Sequence, residues 1–196
     1  RVGMIAQPIN WRLGEAEMAR ILADGSPRLV VVSAQYSELI PGLKASSTAD
    51  SWLSFGEGSD GSYDALINAS ADNEPSESVS IGGDDPMLIL YTGGTTGESK
   101  GALHTHRSLF MGMINQTVAE RVVTTDVYML TGQMFHIPVA LAMNYHAHGC
   151  AMVLINFDAR LALETIEKER VSAFLGITTM LNWMMAVEGF ANYDIS

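Results

Sequence analysis

The sequence predicts an α/β fold: alternating strands and helices that form mostly parallel sheets flanked by helices. Three observations carry this. Apolar runs of strand length alternate with helix-length stretches along nearly the whole of the 196 residues. The connections between them are short, which favours parallel strands joined by crossover helices. At 47% hydrophobic and 17% charged residues, the chain can also bury a sizeable core.

Taken in order, Val2 to Ile9 is a short apolar run ending at a proline and reads as a strand. Gly14 to Asp24 places Ala16, Ala19, Ile21 and Leu22 on one side, with Glu15, Glu17 and Arg20 mostly on the other, so an amphipathic helix is expected, with Gly25 as its stop. Arg28 to Ser33 (RLVVVS) has the composition of a buried strand. Gln35 to Leu43 suggests a short helix ended by Pro41-Gly42, Ser51 to Phe55 a strand and Tyr63 to Ala71 a helix. Asp72 to Asp85 is polar, acidic and glycine-containing, and reads as a surface loop. Met87 to Tyr91 is again an apolar strand, and Ala102 to His106 a short one.

The second half repeats the alternation. Ser108 to Arg121 has the length of a helix with Ser108 as a candidate N-cap. Val127 to Leu130 is a strand, Phe135 to His148 a helix entered near Pro138, and Cys150 to Ile155 a strand. Asp158 to Arg170 is strongly amphipathic, with Asp158 as N-cap. Ser172 to Gly176 is a strand and Thr178 to Glu188 a helix.

Chemistry concentrates between Leu88 and His106, LILYTGGTTGESKGALHTH. The strand ending at Tyr91 breaks into Thr92-Gly93-Gly94-Thr95-Thr96-Gly97-Glu98-Ser99-Lys100-Gly101. Four glycines in ten residues allow successive N–H groups to converge on an anion, the threonines add hydroxyls, and Lys100 adds a positive charge. A tight turn is the competing reading of glycine content alone. The Walker-A spacing fails, because Lys100 lies between Ser99 and Gly101. The dinucleotide pattern fails too, since the glycines fall at 93, 94, 97 and 101.

The whole string YTGGTTGESKGALHTH resembles the phosphate-loop signature of the adenylate-forming superfamily: acyl-CoA synthetases, peptide-synthetase adenylation domains and luciferases. Ser99 stands where that signature usually has proline, which would stiffen the turn before the lysine. Further blocks share the likeness: GMIAQPINWRLGEAEMARIL near the start, YMLTGQMFH at Tyr128 to His136, Phe157 to Arg170, and FLGITTM at Phe174 to Met180, with Thr178 at a usual proline position. The order of blocks matches from about Gly3 to Ser196.

The resemblance implies two half-reactions: a carboxylic acid is activated with ATP to an acyl-adenylate, and a thiol, often that of coenzyme A, then takes the acyl group. A fatty or aryl acid suits the Phe135-His136 block better than an amino acid. Thr92, Gly93, Gly94, Thr95, Thr96, Gly97 and Lys100 would hold the phosphates, and Thr95 or Thr96 would touch Mg²⁺. His136 would orient the substrate carboxylate or gate the acyl site, although a histidine among apolar residues is also a common structural element. Gly176 and Ile177, after a strand end, would form acyl-pocket wall. Met180, Met184 and Met185 are either core or flexible pocket lining.

The same resemblance frames the chain as a piece of one AMP-binding N-terminal domain. Residues 1–85 would be a first βα part with the acidic loop, 86–106 the strand and phosphate loop, and 107–196 a second βα part. The family's adenine-contacting and Mg²⁺-binding glutamate block, its ribose-binding aspartate and its mobile C-terminal domain with a catalytic lysine do not occur here. Little ligase activity is therefore expected of this stretch alone. A non-catalytic nucleotide-binding scaffold and a peptide-synthetase-type adenylation domain stay open as alternatives.

Charge and cysteine use bound the partners. The net charge is −11, and from Ala45 to Ser99 there is no Lys or Arg against ten Asp or Glu, so neither nucleic acid nor an anionic membrane is expected as a partner. No apolar stretch of about 18 residues suggests a transmembrane segment. Cys150 is the only cysteine and sits in an apolar run, which points to a reducing, cytoplasmic setting and away from catalysis. His104, His106, His146 and His148 form two i, i+2 pairs without a Cys or carboxylate companion, a poor basis for zinc.

Overall fold

A computed structural model describes residues 3–72, 79–92 and 99–196. The chain divides into two compact units, Arg1–His104 and Thr105–Ser196.

In the first unit, α1 (Glu15–Gly25) leads to β1 (Leu29–Ser33). A 3-10 turn (Ala34–Leu39) runs into α2 (Ile40–Ala45), followed by β2 (Ser51–Phe55), α3 (Ser62–Ala69), β3 (Pro86–Thr92) and β4 (Lys100–Thr105). β1 and β2 pair in parallel, from Leu29 opposite Ser51 to Ser33 opposite Phe55. β3 pairs with β4. Met18, Leu22 and Leu43 are buried together, with Ile9, Leu13, Val30, Leu39 and Trp52 packed against them. This apolar stripe of α1, more than helix propensity, holds the helix on the sheet.

Three expectations change here. Of the strand expected over Val2 to Ile9, the described residues form a single parallel bridge of Ala6 with Leu88, made by Ala6 N–H to Met87 O and Ile89 N–H to Ala6 O, both 2.9 Å. Pro8 has no N–H to continue a ladder, and the Gln7 amide instead donates to Ile21 O at 3.1 Å. Gly25 does not stop α1. Ser26 does, in a left-handed conformation (φ 44) with its N–H bonded to Leu22 O. A Cβ at Gly25 would lie 2.3 Å from Oε1 at the end of the flexible Gln7 side chain. Pro41 opens α2 instead of closing a helix, because a first-turn residue has no intrahelical N–H bond to lose.

The second unit holds α4 (His106–Glu120), β5 (Val127–Leu130), α5 (Ile137–Ala147), β6 (Ala151–Leu154), α6 (Ala159–Glu169), β7 (Ala173–Phe174) and α7 (Thr178–Met185). The strands lie in the order β6-β5-β7 and are parallel. Strand alternation sends β5 side chains to two cores. Tyr128 and Leu130 join Val122, Ala142, Tyr145 and Cys150 on one face. Met129 joins Ala162, Leu163, Ile166 and Met184 on the other.

α6 is capped as its sequence suggests, with Asp158 Oδ1 accepting from Arg160 N–H (3.0 Å) and Leu161 N–H (2.9 Å). At α4 the cap is not Ser108 but Thr105. Thr105 Oγ1 accepts from Ser108 N–H at 3.1 Å and Ser108 Oγ accepts from Thr105 N–H at 2.9 Å, a reciprocal box that starts the helix at His106. α4 and α5 meet through polar pairs: Thr117 Oγ1 with Asn144 Oδ1 (3.1 Å), and the Tyr145 phenol donating to Glu120 Oε2 (2.8 Å). Among the described residues no helix is long and apolar enough to cross a membrane.

Candidate functional site

The phosphate-loop residues Gly93, Gly94, Thr95, Thr96 and Gly97 lie outside the described residues. Their two flanks are described. Thr92 ends β3 and Lys100 begins β4, and the Thr92 hydroxyl points at Lys100 O at 3.4 Å. Lys100 is exposed.

The neck of this hairpin is specified by side chains. Gly101 faces β3 so closely that a Cβ would stand 2.9 Å from Ile89 Cγ2 and 3.1 Å from Tyr91 Cζ. The glycine after the lysine is therefore a packing requirement of the neck. The Tyr91 phenol reaches the end of α1 and donates to Asp24 Oδ2 at 2.5 Å. Burial first, and then the hydrogen bond and charge of Asp24, push this phenol up to about 12. In the sequence Tyr91 belongs only to a strand pattern and Asp24 only to a helix pattern; no local pattern marks a contact 67 residues apart.

In the second unit His136 follows β5 in the chain and Gly176 and Ile177 follow β7, beyond the carboxyl ends of two parallel strands, where ligands of open α/β sheets bind. His136 is the N-cap of α5, and its Nδ1 accepts from Ile137 N–H at 2.6 Å. A neutral imidazole whose Nδ1 accepts carries its proton on Nε2 and can donate it to a carboxylate. The residue is exposed, as such a role needs. Gly132, just past β5, lies against Pro138 at the start of α5, where a Cβ would come within 2.3 Å of Pro138 Cγ.

Gly176 and Ile177 follow β7. Ile177 is the N-cap of α7 and is exposed, and a Cβ on Gly176 would meet Phe174 Cε2 at 2.9 Å and Leu181 Cδ2 at 3.2 Å. Met134, Ile137, Ile177 and Leu181, on the arms that leave these strand ends, are all exposed apolar side chains. Met184 is core, Met180 half-buried and Met185 exposed.

The remaining candidates have other employment. Cys150 is buried, its thiol donates to Val123 O at 3.2 Å, and burial pushes its pKa up, which disfavours a thiolate. His148 packs into the α4–α5 seam, with Nδ1 2.9 Å from Asn144 O and Nε2 3.4 Å from Thr117 Oγ1. His104 lies in β4, His106 opens α4, and His146 sits in the last turn of α5. Among the described residues no cluster of three or more His, Cys, Asp or Glu is placed to hold a metal ion.

The family model of AMP-binding enzymes matches residues 1–196. The chain belongs to the AMP-binding enzyme family. This AMP-binding chain is 32% identical over 200 residues to the long-chain-fatty-acid–CoA ligase FadD13 of Mycobacterium tuberculosis, covering 99% of the chain and 38% of that protein. It is 28% identical over 201 residues to indoleacetate–CoA ligase of Aromatoleum aromaticum, covering 39% of that protein. Its fold superposes on the inhibitor-bound N-terminal domain of FACL13 from Mycobacterium tuberculosis with a TM-score of 0.85 at 30% identity, over 96% of this chain and 47% of that one. The AMP-binding chain thus spans well under half the length of the curated relatives it matches.

Proposed function

We propose that the full-length protein activates a carboxylic acid, fatty or aryl, with ATP and then transfers the acyl group to coenzyme A. In the first step a carboxylate oxygen bonds to the α-phosphorus of ATP and the bond to the β-phosphate breaks, releasing pyrophosphate. In the second the thiolate sulfur of coenzyme A attacks the acyl carbonyl and AMP leaves. The first barrier arises from two anions approaching, so the protein must hold them in line and offset charge. Thr92 and Lys100 would flank the triphosphate together with the glycines and threonines between them. Mg²⁺ would accompany the phosphates near Thr95 or Thr96. His136 Nε2–H would donate to the substrate carboxylate, beside an apolar wall that includes Gly176 and Ile177.

The observation that carries this reading is at the strand ends: an exposed histidine, His136, follows β5 and exposed apolar side chains, Ile177 and Leu181, follow β7. A fatty- or aryl-acid substrate is further supported by the names of relatives that are ligases of long-chain fatty acid, indoleacetate and, in feruloyl-CoA synthase, a ferulic-type acid. The lone buried thiol suits a reducing, cytoplasmic setting. The test is ATP–pyrophosphate exchange by the full-length protein against fatty, aryl and amino acids. Exchange driven by a fatty or aryl acid supports the proposal. Exchange driven by amino acids would move it to a peptide-synthetase-type adenylation domain, and ATP binding without exchange to a scaffold.

A further inference from the structure

The ladder between β5 and β7 is short: Tyr128 faces Ala173, Met129 faces Phe174, and there it ends. β5 runs on to Leu130 and β7 stops at Phe174, and beyond them lie the arms that carry His136 and Ile177. At that point Thr131, only 6% exposed, turns its hydroxyl to the carbonyl oxygen of Leu175 at 3.1 Å, joining residues 44 positions apart. This side-chain bond links the two arms just past the ends of β5 and β7.

On each arm the next residue is a tightly packed glycine. Gly132 is closed in by Pro138, and Gly176 by Phe174 and Leu181. Each glycine is packed within its own arm, and the Thr131 hydroxyl bonds one arm to the other. A valine has the same shape as threonine but would leave the Leu175 carbonyl without this donor, half-buried beside apolar groups.

We infer that Thr131 is a positioning residue that sets the spacing between the His136 arm and the Gly176–Ile177 turn, and through it the fit of the acid. This rests on the proposed function. Thr131 touches no reacting atom; it acts through the turn it holds. The interaction is neutral, so its effect is on placement rather than on charge.

The test compares Thr131→Val and Thr131→Ser in the full-length protein, read by steady-state exchange kinetics and by amide hydrogen exchange. Thr131→Val is expected to raise KM for the acid about three- to tenfold, the size of one lost hydrogen bond, with KM for ATP unchanged. Thr131→Ser, which keeps the hydroxyl, is expected to restore most of it. Amides at 175–178 should exchange faster in the valine variant while those of α6 do not. An unchanged acid KM in a folded valine variant, a parallel rise in KM for ATP, or a serine variant as impaired as the valine one would overturn the inference. Wild-type protein without acid-stimulated exchange would overturn the functional reading and, with it, the acid-specific role. Hydrogen exchange would then still report whether the hydroxyl holds the turn.

Discussion

Tyr91 and Asp24 are joined by a 2.5 Å hydrogen bond from the phenol to Oδ2, which ties the last turn of α1 to the strand that enters the phosphate loop. Removing the hydroxyl in Tyr91→Phe is expected to cost about 1 kcal/mol of stability, the usual range for one hydrogen bond, and to weaken ATP binding more than acid binding. Denaturant unfolding and ligand titration check this. The pH dependence has a definite sign. The folded phenol is raised from 10 to about 12, so this contribution is fully present below pH 10 and disappears as pH rises through 12. A phenol titrating near 10 in the folded protein, by ultraviolet difference spectra, would contradict the bond.

Gly101→Ala tests the neck itself. The added methyl would meet Ile89 and the Tyr91 ring at about 3 Å, and overpacking of this kind costs about 1–3 kcal/mol. Gly101→Ala should lower the melting temperature, whereas Gly58→Ala, at a glycine with open space around it, should act only through its positive φ. An unchanged melting temperature in Gly101→Ala would show that packing at the neck does not matter.

Lys100→Ala should reduce pyrophosphate exchange and raise KM for ATP with no change in folding, since the residue is exposed at the start of β4. Full exchange activity with native ATP affinity would remove Lys100 from the proposed phosphate site.

His136→Ala should lower turnover of the acid more than ATP binding. It also removes an acceptor from Ile137 N–H, so His136→Asn, which can still cap α5, is the informative partner. If the asparagine variant recovers full activity, the histidine serves the helix alone.

Acid stability should reflect Asp60. Hydrogen bonds from Ser54 and Ser62 hold its carboxyl down at about 2. A depressed carboxylate contributes stability above its unfolded pKa that is lost as pH falls through the folded value, so the window runs from about pH 4 to pH 2. Asp60→Asn should flatten the unfolding profile there; an unchanged slope would show that the turn at residues 54–62 is indifferent to the charge.

Much of this was legible in the chain itself. Strands β1, β2 and β5 lie where their apolar runs put them, and Asp158 caps α6, because strand composition and side-chain caps are local signals. The phosphate-loop string and the order of its flanking blocks pointed to the AMP-binding enzyme family, which the family match bears out over 1–196. Boundaries that depend on competition between neighbours were not legible. Ser108 and Thr105 are both good capping residues, and their reciprocal bonds, seen only in three dimensions, start the helix at His106. Gly25 has the composition of a stop, yet it is the last residue of the helix and Ser26 takes the left-handed turn.

The sequence by itself determined the alternation of strands and helices, the family and the residues around which phosphate chemistry is proposed, since each is written in short-range pattern. Tertiary structure alone decided that Tyr91 bonds to Asp24, that Thr131 bonds to Leu175, and that Gly101, Gly132 and Gly176 are small for want of space. These contacts join residues brought together by sheet order and packing, and close-packed interiors admit a neighbour or exclude it by distances of less than a methyl group.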